Sequence, residues 1–470
     1  MRTLPMEDIR HAVMGRWRKA GEKLTVSSVT TDGRTAGPGS LFVALRGENF
    51  DGHDFLAQAA AAGCVAAMVD QEAYVDEAVL GSFPGGVIGV SDTILALGEL
   101  ARWYRGHLPG TIISITGSNG KTTVKRMVAH ILSRRLAGVA SPKSFNNNIG
   151  VPLTLLSAGP EDEYIICETG SNAPGEIATL ASIERPDIAV ITSVGETHLE
   201  KLIDIEHVAA EKASLLGSLA PNALAIVNAD SIPLERALRG YSCRMIRFGR
   251  SEKADVRLTG FEATEGGCRF QLNGRRWFDL AVPGEHMASN ALAAIAVAQR
   301  LGFEQDQAGE ALADYRGEEM RLQVIQAGSV RIINDAYNAN PASMAAAAAS
   351  LASFSAQRKV VVAGDMRELG PQGVALHAAV GDRIAHAGVD LVVGVGPLGR
   401  HIAAGAGRAG ASTAQIETVE EACRTLPALL RAGDLVLIKG SRGMKMERLV
   451  EPIQAAFGYQ GQGCCTQRKN

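Results

Sequence analysis

Aromatic residues are scarce in this chain, at 5% of its 470 positions, and neither sign of charge dominates: 50 acidic residues face 47 basic ones, for a net charge of −3. A balance this even argues against a general nucleic-acid binder, whose phosphate contacts need a basic surplus. Long hydrophobic runs are missing too, and none approaches the ~20 residues of a membrane span. The first residues, Met1 to Asp8, contain no apolar core of a secretion signal, so the expected location is the cytoplasm. Cysteines number seven, at Cys64, Cys167, Cys243, Cys268, Cys423, Cys464 and Cys465, with no C-x-x-C spacing. Neither a disulfide framework nor a zinc site follows from that, and buried small thiols are the expectation, with Cys464 and Cys465 expected in a loose polar tail. No internal repeat is visible.

What is present is ordinary for a folded chain: 46% hydrophobic and 21% charged residues, with 52 glycines. Abundant Gly and Ala suit helices packed closely on sheets, an α/β arrangement. At about 150 residues per domain the length suggests three domains, and the pattern divides as 1–108, 109–318 and 319–470. The first stretch has short apolar runs at Ser40–Leu45, Val65–Val69 and Val87–Val90, a helical pattern over Thr93–Tyr104, and a linker, His107-Leu-Pro-Gly110. The second has buried-strand runs at Thr111–Ile115, Tyr164–Cys167, Asp187–Val194 and Ala223–Val227, separated by helical patterns, and an Ala-rich helix at Asn290–Arg300. Such spacing predicts a mostly parallel sheet. The third has strands at Val330–Asn334, Lys359–Gly364, Leu391–Val395 and Leu435–Ile438 and a helix over Pro341–Leu351, which predicts a doubly wound, Rossmann-like sheet.

Thr116-Gly-Ser-Asn-Gly-Lys-Thr-Thr123 lies between a buried strand and the amphipathic pattern Val124–Leu132. A Gly-rich turn lets backbone amides approach phosphate oxygens, and the helix N-terminus adds positive potential. Gly117, Ser118, Asn119, Gly120 and Thr123 therefore form the candidate cradle, Lys121 reaches the terminal phosphates, and the Thr122 hydroxyl suits Mg²⁺. The loop is shorter than the strict G-x-x-x-x-G-K-[ST] form, because Ile115 stands where that form has Gly. Glu168 and His198 follow two further strands and face the same crevice, where a carboxylate and an imidazole suit a divalent cation on phosphate oxygens. Gly394-Val-Gly-Pro-Leu-Gly399 also matches a dinucleotide pattern, but Pro397 lies inside it, and a tight strand-to-helix turn is the expectation.

Thr116–Thr123, Glu-Thr-Gly-Ser (168–171), Thr-His-Leu-Glu (197–200) and Glu211-Lys212 together resemble the Mur ligases, ATP-dependent enzymes that build the peptide of the bacterial cell-wall precursor. Residues 41–53, 144–154, 364–370 and Asn334-Asp-Ala-Tyr-Asn-Ala-Asn-Pro341 extend the resemblance over nearly the whole chain, short of the tail after about 458. It implies a three-domain ligase that joins D-alanyl-D-alanine to UDP-N-acetylmuramoyl-tripeptide through an acyl phosphate, a monomer using ATP and Mg²⁺. By the same resemblance Thr122 and Glu168 ligate one Mg²⁺, His198 helps place a second, and Lys212 is a carbamate. Asn290 lies where the family contacts adenine, Asp335 where it contacts ribose, and Arg321 where an arginine reaches the phosphates. Asn338 and Asn340 stand near the incoming dipeptide, Asn146 with the substrate, and Thr31, Asp32 and Arg34 in the loop that receives the uridine nucleotide.

Two departures stand out: Gly33 replaces a frequent Ser between Asp32 and Arg34, and Met287 follows His286 where the family has Asn. Read without the family, Asp335 and Asn340 are also good caps for the helix that Pro341 starts, and Arg321 is an ordinary surface arginine. A folylpolyglutamate-synthetase type of ligase or a regulatory nucleotide switch would share the phosphate turn.

Overall fold

The computed structural model describes residues 1–47 and 50–458. Cys464 and Cys465, and Glu48-Asn49 of the 41–53 segment, lie outside the described residues. Three main sheets follow one another along the chain. The first has five strands in the order Arg16–Ala20, Gly86–Val90, Ala66–Asp70, Ser40–Val43 and Ser28–Thr30; only the edge strand Arg16–Ala20 runs antiparallel to its neighbour. A small ribbon, Leu4–Pro5 with Thr25–Val26, sits beside it.

The central sheet has nine strands. Gly138–Ala140, Tyr164–Glu168, Thr111–Thr116, Ile188–Ile191, Leu224–Asn228, Arg244–Gly249 and Val256–Thr264 are parallel in that spatial order. Gly267–Leu272 and Arg276–Leu280 then extend it as an antiparallel meander. Register fixes the functional edge: Glu168 pairs with Ile115 and Ile191 with Thr116, so the phosphate turn, Glu168 and the segment leading to His198 all leave the sheet at its carboxyl end. The helix Lys121–Leu132 packs on this sheet through Val124, Met127, Val128, Ile131 and Leu132, all fully buried at helical spacing. Against it lies Glu285–Arg300, five residues longer at its start than the sequence pattern predicts.

The third sheet runs Gln323–Ala327, Val330–Asn334, Asp434–Lys439, Arg358–Gly364, Leu391–Val395 and Ser412–Ile416. Only Gln323–Ala327 is antiparallel, so the doubly wound pattern is present with one added edge hairpin. The apolar core that fills the central sheet continues onto one face of this one, through Met287, Ile333, Met344 and Val361. The Gly394–Gly399 segment is the tight turn expected, with Gly396 at φ +96°. Its amides at Leu398 and Gly399 donate to the Asp365 carboxylate at 2.9 and 2.7 Å. Cys64, Cys167 and Cys268 are buried free thiols.

Candidate active site

The turn after Thr116 is possible because Gly117 and Gly120 take φ of +145° and +84°, a region open to glycine. A Cβ on Gly120 would stand 2.5 Å from Asn290 Oδ1, so the turn and the helix Glu285–Arg300 meet without a side chain between them. Lys121 begins the following helix, and its Nζ donates back to the Gly117 carbonyl at 2.6 Å. Burial lowers the Lys121 pKa, partly opposed by Glu168.

Glu168 is 1% exposed and is the hub of the edge. Its Oε2 accepts from Thr122 Oγ1 at 3.0 Å and lies 2.9 Å from Lys125 Nζ; its Oε1 accepts from Asn146 Nδ2 at 3.1 Å. Burial acts to raise its pKa, but the Lys125 and Lys121 ammoniums outweigh burial and hold the carboxyl below its ordinary value. Thr122 also accepts from Arg321 Nη2 at 2.9 Å. The Arg321 guanidinium stacks 4.1 Å from the centre of the Tyr337 ring, so it is a bridge between sheets and not a free surface arginine.

His198 takes φ +55° and its Nδ1 bonds the Glu368 carboxylate, itself on a residue at φ +63°. Burial lowers the His198 pKa more than Glu368 raises it. Lys212, on the helix Ile205–Ala213, is 1% exposed and donates to Ser171 Oγ at 2.7 Å. Burial and then repulsion from Lys121 bring its pKa down to about 7. Its neighbour Glu211 accepts from the Gly175 and Ile177 amides at 2.7 and 2.8 Å, fixing the start of the helix Glu176–Glu184.

From the third sheet, Asn340 caps Pro341–Ser350 by accepting from Ser343 N at 2.9 Å. Asn340 Nδ2 also donates to Asn119 Oδ1 at 2.7 Å. Asp335 is not a cap: its Oδ2 pairs with Lys439 Nζ at 2.6 Å, and Lys439 also donates to the Asn338 carbonyl at 2.9 Å.

These groups enclose a cavity of about 730 Å³. Ser118 to Thr123 line it from the turn, and Glu168, His198, Asn146 and Asn290 from elsewhere in the central unit. Arg321, Asp335, Asn338 and Asn340 line it from the third. Lys212 lies behind Ser171, which lines it. Thr31, Asp32 and Arg34 are not among the lining residues: Asp32 and Arg34 pair with each other at 2.7 Å in an exposed loop, and that guanidinium holds Asp32 at about 2.

Lys125 and Lys439 are site residues that motif reading missed, and Glu368 and Tyr337 stand inside the segments 364–370 and 334–341 but carry no role there. Lys125 had a signal, since it follows Lys121 by four residues on the same helix and so lies under it. Glu368 and Lys439 meet their partners only through folding.

The donor set bears on a divalent cation. Thr122 and Glu168 offer one hydroxyl and one carboxylate at the cavity wall, and no cluster of three His, Cys, Asp or Glu side chains exists among the described residues. That fits a hard cation that keeps several waters and shares phosphate oxygens, not one caged by protein alone.

Comparison with known proteins agrees with this geometry. Residues 25–105 match the model described as Mur ligase family, catalytic domain; residues 115–298 match the Mur ligase middle domain; residues 320–442 match the Mur ligase, glutamate ligase domain. UDP-N-acetylmuramoyl-tripeptide–D-alanyl-D-alanine ligase of Escherichia coli is 37% identical over 92% of this chain and 95% of its own. The enzyme of the same name from Bacillus subtilis is 35% identical over 92% and 94%. Among solved structures, MurF from Acinetobacter baumannii superposes with a TM-score of 0.86 at 31% identity, over 97% of this chain and 100% of the other. MurF ligase from Thermotoga maritima in complex with ADP gives 0.80 at 26%, over 92% and 97%. With three of the family's models matched along its length and about nine-tenths of it covered by relatives at 30% identity or more, the chain belongs to the Mur ligase family.

Proposed function

We propose that the chain is an ATP-dependent, ADP-forming ligase that joins D-alanyl-D-alanine to UDP-N-acetylmuramoyl-tripeptide, in the final cytoplasmic peptide addition to the peptidoglycan precursor. The names of the Escherichia coli and Bacillus subtilis relatives supply the substrates, and the ADP of the Thermotoga maritima structure supplies the nucleotide. The observation that carries the reading is the meeting of Lys121, Glu168 and the Asn340 helix cap around one cavity. It brings a phosphate turn, a buried anion and the Asn-Ala-Asn-Pro segment to one reaction volume.

The chemistry follows from those parts. The terminal carboxylate of the tripeptide attacks the γ-phosphate, forming an acyl phosphate and releasing ADP. The amine of D-alanyl-D-alanine attacks the acyl carbon, and inorganic phosphate and a proton leave. The first step brings two anions together; the Lys121 ammonium and the N-terminus of Lys121–Leu132 offset that repulsion. Arg321 and Asn340 close the cavity from the third unit and keep water from the acyl phosphate. Mg²⁺, when bound, would neutralise phosphate charge, with Thr122 and Glu168 as its protein ligands and His198 and Lys212 serving a second ion. A buried Lys212 near pKa 7 suits carbamate formation, which requires the neutral amine. Asn290 is assigned to adenine, Asp335 to ribose, Asn338 and Asn340 to the dipeptide, and Asn146, Thr31, Asp32 and Arg34 to the UDP-linked substrate. The working units are 1–108, 109–318 and 319–470, each with its own main sheet, in a monomer. No described helix is long and apolar enough to cross a membrane.

Phosphate release with ATP, Mg²⁺ and UDP-muramoyl-tripeptide tests the reading. Release that depends on added D-alanyl-D-alanine supports it. Release indifferent to any amine would make the protein a nucleotide switch, and release driven by another amine would make it a sister ligase.

A further inference from the structure

Lys125 is one of the groups at the site that the reaction above leaves unused. It lies one turn beyond Lys121, and its side chain is 0% exposed. A completely buried ammonium persists only where it is paired and hydrogen-bonded. Its Nζ stands 2.9 Å from Glu168 Oε2 and also donates to the Lys143 carbonyl. Lys143 takes φ +45°, a strained backbone for a lysine that its surroundings must hold. The next residue, Ser144, meets the Tyr337 hydroxyl at 2.5 Å, and Asn146 donates to the other oxygen of Glu168 at 3.1 Å. Tyr337 lies under Arg321, Arg321 donates to Thr122, and Thr122 donates to Glu168. The contacts form a closed ring that crosses between the central and third sheets, and Lys125 is the strut beneath it.

We propose that Lys125 is a positioning residue that locks the Glu168 carboxylate and the Lys143–Asn146 loop into one rigid edge, and so sets how tightly the site holds a divalent cation together with nucleotide. The inference rests on the ligase reading, which supplies the cation and the nucleotide. Removing Lys125 leaves other ties in place. Glu168 N still donates to Ser141 Oγ at 3.2 Å, and Gly170 N to the Asn146 carbonyl at 2.8 Å. The Lys121 and Arg321 charges still face the carboxylate. The edge therefore loosens while the fold survives. Residues that orient a metal ligand typically set affinity by about 10–100-fold.

The test uses the full chain with Lys125→Met, which keeps length and loses charge and donor, and Lys125→Gln, which keeps one donor. Mn²⁺ binding in the presence of ADP, read by electron paramagnetic resonance without turnover, is compared with the Mg²⁺ midpoint of synthesis and with melting temperature. Lys125→Met is expected to weaken Mn²⁺ binding about tenfold or more, raise the Mg²⁺ midpoint in parallel, and raise KM for the UDP-linked substrate. Lys125→Gln should recover part of each; if Lys125→Met does not fold, Lys125→Gln is measured alone against wild type. A folded variant of either kind with unchanged or tighter Mn²⁺ binding overturns the proposal, even if its melting temperature falls. Wild-type protein that binds no Mn²⁺ with ADP overturns the ligase reading instead.

Discussion

The side-chain amides of Asn119 and Asn340 exchange two hydrogen bonds, at 2.7 and 3.3 Å, between residues 221 positions apart. One belongs to the phosphate turn and the other caps a helix of the third sheet, so a single side chain both starts that helix and holds the turn. Asn340→Asp separates the two tasks. Aspartate is an equal cap, so stability should stay within about 1 kcal/mol of wild type. It cannot donate to Asn119, and it adds a negative charge beside the phosphates; a unit charge ~5–6 Å away at an effective dielectric near 20 costs about 3 kcal/mol. Calorimetric titration with ADP should show affinity reduced ten- to a hundredfold with an unchanged melting curve. Unchanged ADP affinity with an unchanged melting curve would mean that the cap is the whole role.

Lys121→Ala should fold and lose synthesis. Charge aimed at a transferring phosphoryl group is commonly worth ~10³ or more in rate. A variant that keeps more than about a tenth of the wild-type rate contradicts the phosphate-turn assignment.

Lys212→Ala should lose most activity, and acetate or formate should restore part of it by placing a carboxylate oxygen in the vacated space. Wild-type activity should fall in degassed, bicarbonate-free buffer. A Lys212→Ala enzyme with full activity and no added acid would sink the carbamate and leave the ligase standing.

Glu184 gives a pH dependence of stability. It is fully buried, and burial pushes its carboxyl up to about 7 against hydrogen bonds from Ser114 and Thr169. Between an unfolded value near 4.3 and about 7 the native state binds more protons, so stability falls as pH rises across that window and is flat above it. Glu184→Gln keeps both hydroxyl partners without the charge. It should match wild type near pH 4 and exceed it by roughly 2–4 kcal/mol at pH 8, since each tenfold change in proton affinity is worth about 1.4 kcal/mol. Urea melts at the two pH values measure the difference, and a constant offset would show that the carboxyl stays ionised.

Legibility followed burial on both faces. Thr111–Thr116, Tyr164–Glu168 and Leu391–Val395 are buried almost throughout, and the apolar residues that dominate each, such as Ile112-Ile113, Ile165-Ile166 and Val392-Val393, mark strands covered on both faces. The meander Val256–Leu280 went unread because one face is wet: Val256–Thr264 ends in three exposed residues and has no clean alternation. In the site, roles set by a contiguous motif were legible, and roles set by a partner that only folding supplies were not, even where the residue stands in a quoted segment, as Glu368 and Tyr337 do. His198 was named from its strand end, but its partner Glu368 is 170 positions away. Lys439 likewise ends a strand that reads as pure core.

The carboxylate of Asp365 on the amides of Leu398 and Gly399 has a consequence for stoichiometry. A Gly-rich turn opening the helix Gly399–Arg408 is where an anion would settle, and here the chain supplies its own. The third sheet thus has a resident competitor, tethered at high local concentration, that a free phosphate would have to displace. An adenine nucleotide entering this protein finds one of its two glycine turns already taken, and a titration should end at one equivalent per chain.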